Sequence, residues 1–413
     1  IFIISQDNKN LVMNILKKNK IKGKILIEPI PKGTAAAVYL GAKETDQNDT
    51  LLILPSDHFI ENNQKFIDVI NHLKKNILNN FWYVFGVIPS NPSTAYGYIK
   101  VIKDIVVNNM LVHNVLSFEE KPSLKNAKSM LSSGDYLWNA GIFMGQSNMI
   151  INSMRKYCKD ITIQCDKVFK KRIFNKTDLT INYDTNLFSK INFDSVDYAV
   201  LEKEKRIKCV KLNTTWDDLG SWENFLNYVD VDDFKNNVVE IDGQNKFFNL
   251  DNRIIGTTGV KDLIVIDTKE ATLISKKNNS GNIIKLMSAL QKKSIEIPSE
   301  LSFDERPWGK YFILLNEGFI KVKKLVIFPR KSISLQYHNK RSEHWVVVSG
   351  VANVMINNKK IIMKAGESID IPIRAHHYLK NNKNENLVII EIQMGSYLEE
   401  DDIIRLKDPY NRV

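Results

Sequence analysis

The stretch LLILPSDHFI, residues 51–60, joins an apolar run to an abrupt cluster of polar side chains. Four aliphatic residues that stop at Pro55 are typical of a buried strand. Ser56, Asp57 and His58 at its end allow three interpretations: a hydrolase-like cluster, a metal-binding carboxylate, or a capped turn without chemistry. Because open α/β sheets bind ligands beyond the carboxyl ends of their strands, this position favours a functional role over a bare turn.

Strand and helix patterns alternate on both sides of this stretch. Residues 24–29 and 82–89 have the composition of strands, and residues 34–44 that of a helix with Thr34 as its N-cap. Apolar residues at helical spacing from Phe66 to Ile77 predict a further helix. This order predicts a Rossmann-like α/β domain whose parallel or mixed sheet carries helices on both faces.

The pattern changes twice further along the chain. From about 236, short β-like runs are separated by Gly, Asp and Asn and are followed by a predicted helix at 283–293. From about 303 the pattern is all-β, and the strand around Val354 ends at Asn357-Asn358, a turn signal. We therefore predict an α/β domain at 1–235, a small β-rich linking module at 236–295 and an all-β sandwich or barrel at 300–413.

Composition limits the classes of function. The chain has 413 residues and a net charge of +11, but its lysines are scattered rather than packed in a block with aromatic residues. We therefore expect no nucleic-acid partner. No apolar run approaches the roughly 18 residues of a membrane span, so no membrane partner is expected. Three cysteines without CxxC spacing predict a reducing compartment, the cytoplasm.

Four motifs in the first 230 residues suggest chemistry when they are taken together. Each alone could be a turn or a packing contact; they are PSDH (55–58), AYGYI (95–99), FEEKP (118–122) with YLWNAG (136–141), and WDDLGSW (216–222). In this order and spacing the set resembles the sugar-phosphate nucleotidyltransferases, specifically the bacterial mannose-1-phosphate guanylyltransferase family. The segment SVDYAVLEK (195–203) strengthens the resemblance, and EPIPKGTAAAV (28–38) resembles a family stretch with departures at Lys32, Gly33 and Ala36.

The resemblance implies transfer of GMP from GTP to mannose 1-phosphate, giving GDP-mannose and pyrophosphate. Two polyanions meet in this reaction, so positioning and charge neutralisation supply most of the catalysis. Asp57 and Asp218 are the family-matched ligands of a Mg²⁺ ion, which needs few carboxylates because phosphates and water complete its shell. No GxSxG surrounds Ser56, so a nucleophilic serine is not expected. His58 is expected to pack or to support Asp57.

The same resemblance implies a sugar-phosphate site. Lys121 would act in catalysis by pairing with a phosphate, and the substrate-binding residues would be Gly97, Tyr98, Glu120, Asn139 and Gly141. The family's glycine-rich phosphate loop with Arg and Lys would precede Ile1. Because the chain begins inside a strand-like run, we expect that its natural N-terminus is missing and that the chain as given binds GTP weakly.

A second cluster of polar residues lies in the all-β part, in SLQYHNKRSEHWVVVSG (334–350) and IPIRAHHYLKN (371–381). Gln336 and His338 share one face of a strand, since they are two residues apart. Glu343 joins them only if the chain bends between, and His377 arrives from a later strand. These four side chains would suit Zn²⁺ or another divalent transition metal. The alternative is a set of polar residues at a barrel mouth.

The pattern resembles a cupin, specifically the type II phosphomannose isomerase module. The matching stretches are RPWG (306–309), EHW (343–345) and EEDDIIRLKDPYNR (399–412). The resemblance implies interconversion of mannose 6-phosphate and fructose 6-phosphate, with Arg412 near the substrate phosphate. Lys340 stands where the family has His, and we expect it to face outward or toward the phosphate while the metal is retained. His344 and His376 are expected to be supporting or packing residues.

The sequence therefore predicts a bifunctional, homo-oligomeric enzyme that uses GTP, mannose 1-phosphate and mannose 6-phosphate. One alternative is a nucleotidyltransferase for another base or sugar. The other is a protein that binds sugar nucleotides without turnover and carries a structural cupin. Competition between purine and pyrimidine nucleotides would test the first alternative, and release of pyrophosphate would test the second.

Overall fold

Strands and helices alternate through the first 229 residues of the computed structural model, which describes residues 1–76, 80–107, 110–229, 234–251, 253–277, 282–293 and 303–410. The chain divides into two compact units, Ile1–Val229 and Asp230–Val413. The strands of the first unit are β1 (Phe2–Ser5), β2 (Ile25–Glu28), β3 (Thr50–Ile53), β4 (Phe59–Ile60), β5 (Trp82–Val87), β6 (Tyr98–Val107), β7 (Met110–Glu119), β8 (Tyr136–Gln146), β9 (Ile173–Asn175), β10 (Thr180–Asn182), β11 (Ile207–Lys211) and β12 (Trp216–Asp217). Its helices are α1 (Lys9–Lys18), α2 (Thr34–Lys43), α3 (Asn63–Asn76), α4 (Leu124–Ser133), α5 (Ser147–Tyr157), α6 (Lys159–Lys170), α7 (Thr185–Phe188), a π-helix (Asp197–Leu201) and α8 (Trp222–Tyr228).

The main sheet of this unit is mixed, in the order β3-β8-β5-β11-β7-β6. Strands β5 and β11 run parallel, whereas β8 is antiparallel to both β3 and β5. Every residue of β5 is buried. Trp82 and Val84 enter one hydrophobic core while Tyr83 and Phe85 enter another. The sheet therefore has a core on each face, and the predicted α/β class with a mixed sheet is confirmed.

Helix α2 begins as predicted, but its cap differs from the sequence prediction. Gly33 occupies the N-cap position, and helix α2 starts at Thr34. The Thr34 hydroxyl accepts a hydrogen bond from the backbone N–H of Val196, 2.9 Å away. The prediction that Thr34 caps the helix is wrong, because a partner 162 positions away in sequence engages its side chain.

The second unit begins with short strands and one helix. They are β13 (Val238–Ile241), β14 (Gln244–Asn249), β15 (Ile255–Thr258), β16 (Lys261–Asp267), β17 (Thr272–Lys276) and α9 (Ile283–Lys292). Strand β13 pairs parallel with β15, and β14 pairs parallel with β16. Parallel pairing of strands this close in sequence is typical of a coiled, β-helix-like stack. The β-rich character and the helix that the sequence predicts for this stretch are both present.

A barrel of two packed sheets follows. Its strands are β18 (Phe303–Arg306), β19 (Gly309–Glu317), β20 (Ile320–Ile327), β21 (Leu335–His338), β22 (Arg341–Ser349), β23 (Val351–Ile356), β24 (Lys359–Lys364), β25 (Ser368–Ile371), β26 (His377–Asn381), β27 (Leu387–Gly395) and β28 (Ile403–Lys407), with a 3₁₀ turn at Glu400–Asp402. The sheets have the orders β18-β19-β20-β27-β22-β25 and β24-β23-β26-β21-β28, and all their pairings are antiparallel. The predicted cupin-type barrel is confirmed. In the described part of the chain, no helix has both the length and the hydrophobicity that a membrane crossing requires.

The interior of this barrel is divided along its axis. Buried and less buried residues alternate along β20, β22 and β27, so every second side chain points inward. One end of the interior is aliphatic and includes Leu325, Val347, Leu379 and Ile389. The other end contains buried polar side chains: Lys321, Lys323, Gln336, His338, Arg341, Glu343, His377, Glu391 and Gln393. Buried charge on this scale is costly unless it is paired or serves a ligand.

Candidate active sites

Asp57 and Asp218 lie at the same end of a short two-stranded ribbon. Strand β4 pairs antiparallel with β12, with Phe59 opposite Asp217. Asp57 lies two residues before Phe59, and Asp218 directly follows Asp217. Since the start of one antiparallel strand meets the end of the other, two motifs about 160 residues apart in sequence are brought together.

His58 interacts electrostatically with both carboxylates. Burial lowers the pKa of its ring, while the charges of Asp57 and Asp218 oppose that shift, so both lie close to the imidazole. The Trp216 indole N–H donates to His58 Nδ1 at 3.2 Å. This hydrogen bond makes Nδ1 an acceptor and fixes the ring tautomer. The His58 ring therefore packs against Trp216, and its support of Asp57 stays a prediction.

The Asp218 carboxylate is held by two donors on one oxygen. Its Oδ1 accepts from the Tyr96 hydroxyl at 3.2 Å and from Gly220 N–H at 3.0 Å. Asp57 is exposed. Two carboxylates of this kind, one fixed in position and one accessible, fit the oxygen ligands that Mg²⁺ prefers, with room for phosphate oxygens and water. The residues present therefore suit the predicted ion.

A second group of predicted residues surrounds the bulged middle of β8. Asn139 N–H donates to Gly97 O at 2.8 Å, and Gly141 N–H donates to Asn139 Oδ1 at 3.1 Å. A Cβ atom on Gly97 would lie 2.4 Å from Glu120 Oε2, so any larger residue would displace the Glu120 carboxylate. Gly141 has φ +66, and a Cβ there would lie 3.1 Å from the His58 ring. The structure thus brings Gly97, Glu120, Asn139 and Gly141 together.

Glu120 carries unusual electrostatics in this group. Burial, and then the neighbouring charges of Asp197 and Glu202, raise the pKa of its carboxyl from 4.5 to about 7, although Lys121 lowers it. Lys121 Nζ lies 3.8 Å from Glu120 Oε1 and is largely exposed. Lys121 has φ +50 and its N–H donates to Tyr96 O at 3.2 Å, so it lies in a tight backbone turn just after β7. A carboxyl group that can be protonated or ionised can donate or accept hydrogen bonds, and both suit it to bind hydroxyl groups.

Three further residues belong to this region and were not predicted as site residues. Asp197 Oδ1 accepts from Asn139 Nδ2 at 3.0 Å, and Glu202 Oε1 accepts from Glu120 N–H at 3.1 Å. Both lie on or beside the π-helix, an element that often marks functional sites. Together with Tyr96, all three lie in motifs quoted from the sequence. Spacing alone did not single them out, because their partners are distant in the chain.

Tyr98 is placed differently from its neighbours in the motif. Its side chain is fully buried in a hydrophobic core, and its hydroxyl donates to Ser93 O at 3.0 Å. This contact holds the loop that leads to Tyr96 and Gly97. Direct contact between Tyr98 and a substrate stays a prediction.

The barrel brings three of the four predicted metal ligands into one buried cluster. Single ligand atoms of His338, Glu343 and His377 all lie within 4.8 Å of one another. His338 Nε2 is 2.9 Å from Glu343 Oε1, and His377 Nε2 is 3.7 Å from Glu343 Oε2. The chain turns between β21 and β22, which satisfies the condition that the sequence set for Glu343.

The ring nitrogens of this cluster fit a metal. His377 Nδ1 lies 2.8 Å from Ala375 O, so Nε2 is the nitrogen that faces the cluster. Nε2 of His338 and Nε2 of His377 are buried and make no geometrically acceptable hydrogen bond in the described residues. Although burial would raise it, His338, His377 and Arg341 hold the pKa of the Glu343 carboxyl far below its usual range. Two imidazoles and one carboxylate are a typical donor set for a divalent transition metal.

Gln336 and Lys340 lie near this cluster in sequence and make contacts of their own. Gln336 pairs directly with His377 across the strands, but its Oε1 accepts from the Ser334 hydroxyl at 2.8 Å. Its part as a fourth ligand stays a prediction. Lys340 is exposed, and its Nζ lies 4.3 Å from the centroid of the Tyr397 ring. Its ammonium is therefore held on the outside, in agreement with the expected outward orientation.

The remaining predicted residues of the barrel lie outside the cluster. His344 Nδ1 lies 2.7 Å from Asp370 Oδ1 near the surface, and the His376 ring packs 5.3 Å from that of Tyr337. Arg412 lies outside the described residues. A cavity beside the cluster is lined by Arg306, Trp308, Tyr311, Lys323, Leu325, Ile333, Ser334, Gln336, Arg341, Glu343, Glu391, Gln393, Glu400, Ile403 and Arg405. Its basic side chains could neutralise an anionic ligand.

Three family models match successive parts of the chain. Residues 1–232 match the model described as Nucleotidyl transferase. Residues 236–290 match the MannoseP isomerase/GMP-like beta-helix domain, and residues 299–408 match Mannose-6-phosphate isomerase C-terminal. The matches therefore cover both the strand-end carboxylates Asp57 and Asp218 and the buried cluster of the barrel.

Relatives align with almost the whole of this chain. Mannose-1-phosphate guanylyltransferase of Klebsiella pneumoniae is 32% identical over 99% of this chain and 88% of its own length. Alginate biosynthesis protein AlgA of Pseudomonas aeruginosa is 32% identical over 100% of this chain and 87% of its own length. The crystal structure of mannose-1-phosphate geranyltransferase from Thermus thermophilus has a TM-score of 0.56 at 22% identity, covering 70% of this chain and 84% of that chain. This last likeness supports the fold.

Proposed function

Since this chain belongs to the family of the bacterial mannose-1-phosphate guanylyltransferases, we propose that it makes GDP-mannose in its first unit and isomerises mannose 6-phosphate in its barrel. The observation that carries the first activity is the meeting of Asp57 and Asp218 at one end of the β4–β12 ribbon, beside Gly97, Asn139 and Gly141. Asp57 also follows β3 of the main sheet, and ligands of open α/β sheets bind beyond the carboxyl ends of strands.

In the proposed reaction, a phosphate oxygen of mannose 1-phosphate attacks the α-phosphorus of GTP and pyrophosphate leaves. Asp57 and Asp218 would hold Mg²⁺, which would neutralise the charge that gathers on the phosphates. Lys121 would pair with the sugar phosphate. Glu120 and the Asn139 amide, whose orientation is set by Gly141 N–H and Asp197, would hydrogen-bond to the sugar hydroxyls. These residues position and neutralise, and no covalent enzyme intermediate is required.

The test is release of pyrophosphate from nucleoside triphosphates in the presence of mannose 1-phosphate and Mg²⁺. We expect release from GTP that stops when the ion is chelated, with GTP outcompeting ATP, CTP and UTP. Equal turnover of a pyrimidine nucleotide would replace guanylyl transfer by another nucleotidyl transfer. Binding of GTP or GDP-mannose without any release would favour a protein that binds and does not catalyse.

The observation that supports the second activity is the buried cluster of His338, Glu343 and His377 at the polar end of the barrel. These residues, with Gln336 as a further candidate, would hold Zn²⁺ or a similar ion, which would polarise the carbonyl of the open-chain sugar phosphate. Arg306, Lys323 and Arg341 line the adjoining cavity and would attract the phosphate.

Isomerase activity and metal content should be measured on the same preparation. We expect mannose 6-phosphate to be converted to fructose 6-phosphate in proportion to bound metal. Protein that stays metal-free and inert after addition of Zn²⁺, Co²⁺ or Mn²⁺ would leave the barrel with a structural or dimerising role. The predicted domain limits, the homo-oligomeric state and the cytoplasmic location stay predictions.

A further inference from the structure

A carboxyl group inside the barrel is not used by the proposed metal cluster. Glu391 lies on β27, directly opposite Lys323 of β20 on one side and Trp345 of β22 on the other. It points inward, is buried, and lines the same cavity as Glu343. Burying a carboxyl group costs folding free energy unless hydrogen bonds or an opposite charge compensate it.

Two neutral donors fix the position of Glu391. Its Oε2 accepts from the Trp345 indole N–H at 3.1 Å, and its Oε1 accepts from Gln393 Nε2 at 2.8 Å. The same indole N–H lies 3.1 Å from Glu343 Oε2. Trp345 therefore sets the spacing between the proposed ligand and the second carboxyl. Glu391 is held in place without becoming part of the cluster of His338, Glu343 and His377.

The other carboxyl groups that line the described cavity are already engaged. Glu343 belongs to the proposed metal cluster. Glu400 accepts a 2.6 Å hydrogen bond from Lys323 Nζ, and although burial would raise it, this ammonium lowers the pKa of Glu400 to about 2. Glu391 instead accepts hydrogen bonds from two neutral donors, the Trp345 indole and the Gln393 amide. A carboxyl group held by neutral donors can take up and release a proton, as general acid–base catalysis requires.

The isomerisation that we propose for the barrel requires such a group. We propose that Glu391 is a catalytic residue that carries the proton between C2 and C1 of the open-chain sugar phosphate. The inference rests on the isomerase function proposed above. Geometry places its carboxyl in the cavity wall beside the cluster that would hold the carbonyl oxygen.

The step balances within the substrate. The Glu391 carboxylate takes the proton from C2 of the aldose; the C2–H electron pair forms a C1=C2 double bond, and O1 gains a proton. Glu391 then returns its proton to C1, the C2=O bond forms, and O2 loses a proton, which replaces the one taken up by O1. C1 is reduced as C2 is oxidised, so no external oxidant or reductant is needed.

The experiment compares variants of the full chain. Glu391→Gln keeps the size of the side chain but cannot take up a proton, and Glu391→Asp keeps a shortened carboxyl. Glu317→Gln, at an exposed carboxyl on β19, is the matched control. For each protein, isomerase kcat, bound metal by plasma mass spectrometry, mannose 6-phosphate affinity by calorimetry and the melting curve are measured.

We expect Glu391→Gln to lower isomerase kcat at least about a hundredfold, the smaller end of what a general base contributes, with metal content and affinity unchanged. Glu391→Asp should retain at least about tenfold more turnover than the Gln variant. A smaller loss of kcat in Glu391→Gln overturns the proposal. Direct hydride transfer between C2 and C1, which needs no base at the carbons, would give such a result. A loss that accompanies loss of metal, of binding or of fold overturns it as well. A wild-type chain without isomerase activity instead refutes the proposed function from which the inference starts.

Discussion

The two candidate sites use similar side chains in opposite surroundings. In the first unit, Asp57 is exposed and Asp218 is held by a hydroxyl and a turn N–H at the ends of short strands. In the barrel, His338, Glu343 and His377 are each at most 2% exposed and project from long paired strands. A site at strand ends can admit large, highly charged ligands, whereas a site inside a barrel is pre-organised before any ligand arrives.

Because of this difference, the two sites have different desolvation free energies in the protein without ligand. Asp57 is exposed and Asp218 is half-buried, so the strand-end carboxylates keep part of their contact with solvent. The barrel cluster is almost fully buried and brings two imidazoles and a carboxylate together, so its desolvation cost is present in the protein alone. Because both sites are in one chain, each activity serves as the internal control for substitutions in the other.

The largest expected effect is at the strand-end site. Asp218→Asn should lower pyrophosphate release at least about a hundredfold, the scale of lost electrostatic stabilisation, and leave isomerase turnover unchanged. Asp160→Asn, at an exposed position on α6, is the matched control. Normal guanylyl transfer by a folded Asp218→Asn protein would remove this residue from the site.

A comparable change in the barrel should act through metal content. His377→Gln removes an imidazole from the cluster, so metal affinity should fall by more than the roughly 10–100-fold that loss of an outer-sphere partner costs. Isomerase turnover should fall with it while guanylyl transfer stays intact. His344→Gln, at the surface pair with Asp370, provides the control. Equal metal content in the two variants would contradict the assignment of His377.

Glu120 gives a smaller effect that depends on pH. Because its folded pKa is raised from 4.5 to about 7, the folded state holds a proton that the unfolded state releases between these values. Its stabilising contribution is fully present below pH 4.5 and is lost as pH rises through 7. Glu120→Gln should therefore melt close to wild type at pH 5 and a few degrees higher at pH 8, given about 2–4 °C per kcal/mol. A difference in melting temperature that stays constant with pH would show that burial and the charges of Asp197 and Glu202 do not raise the pKa of Glu120.

The smallest effect is expected at Lys340. Since its ammonium lies over Tyr397 on the outside of the barrel, Lys340→Ala should change metal content and isomerase turnover by no more than about twofold. Surface substitutions away from special features rarely matter more. A gain in metal affinity on removal of the lysine would mean that the cation repels the ion and turns inward in solution.

Local patterns in the sequence determined much of this outcome. The apolar run before Pro55, the alternation around Val354 and the turn at Asn357-Asn358, where both φ angles are positive, depend on near neighbours in the chain. Gln336 and His338 were placed on one inward face by their spacing of two, and both are buried as that spacing requires. Order and spacing of the motifs also indicated the family.

Tertiary structure alone decided the rest, because the partners are far apart in sequence. Asp197 reaches Asn139 across 58 positions, and Tyr96 reaches Asp218 across 122. The Thr34 hydroxyl likewise accepts a hydrogen bond from the distant Val196 N–H and does not cap its helix. The sequence of β27 did not indicate a role for Glu391. Its environment depends on Lys323 and Trp345, which lie opposite it on neighbouring strands. Periodicity reports which face a side chain occupies, whereas only the packed fold determines which charges share that face and what each one costs.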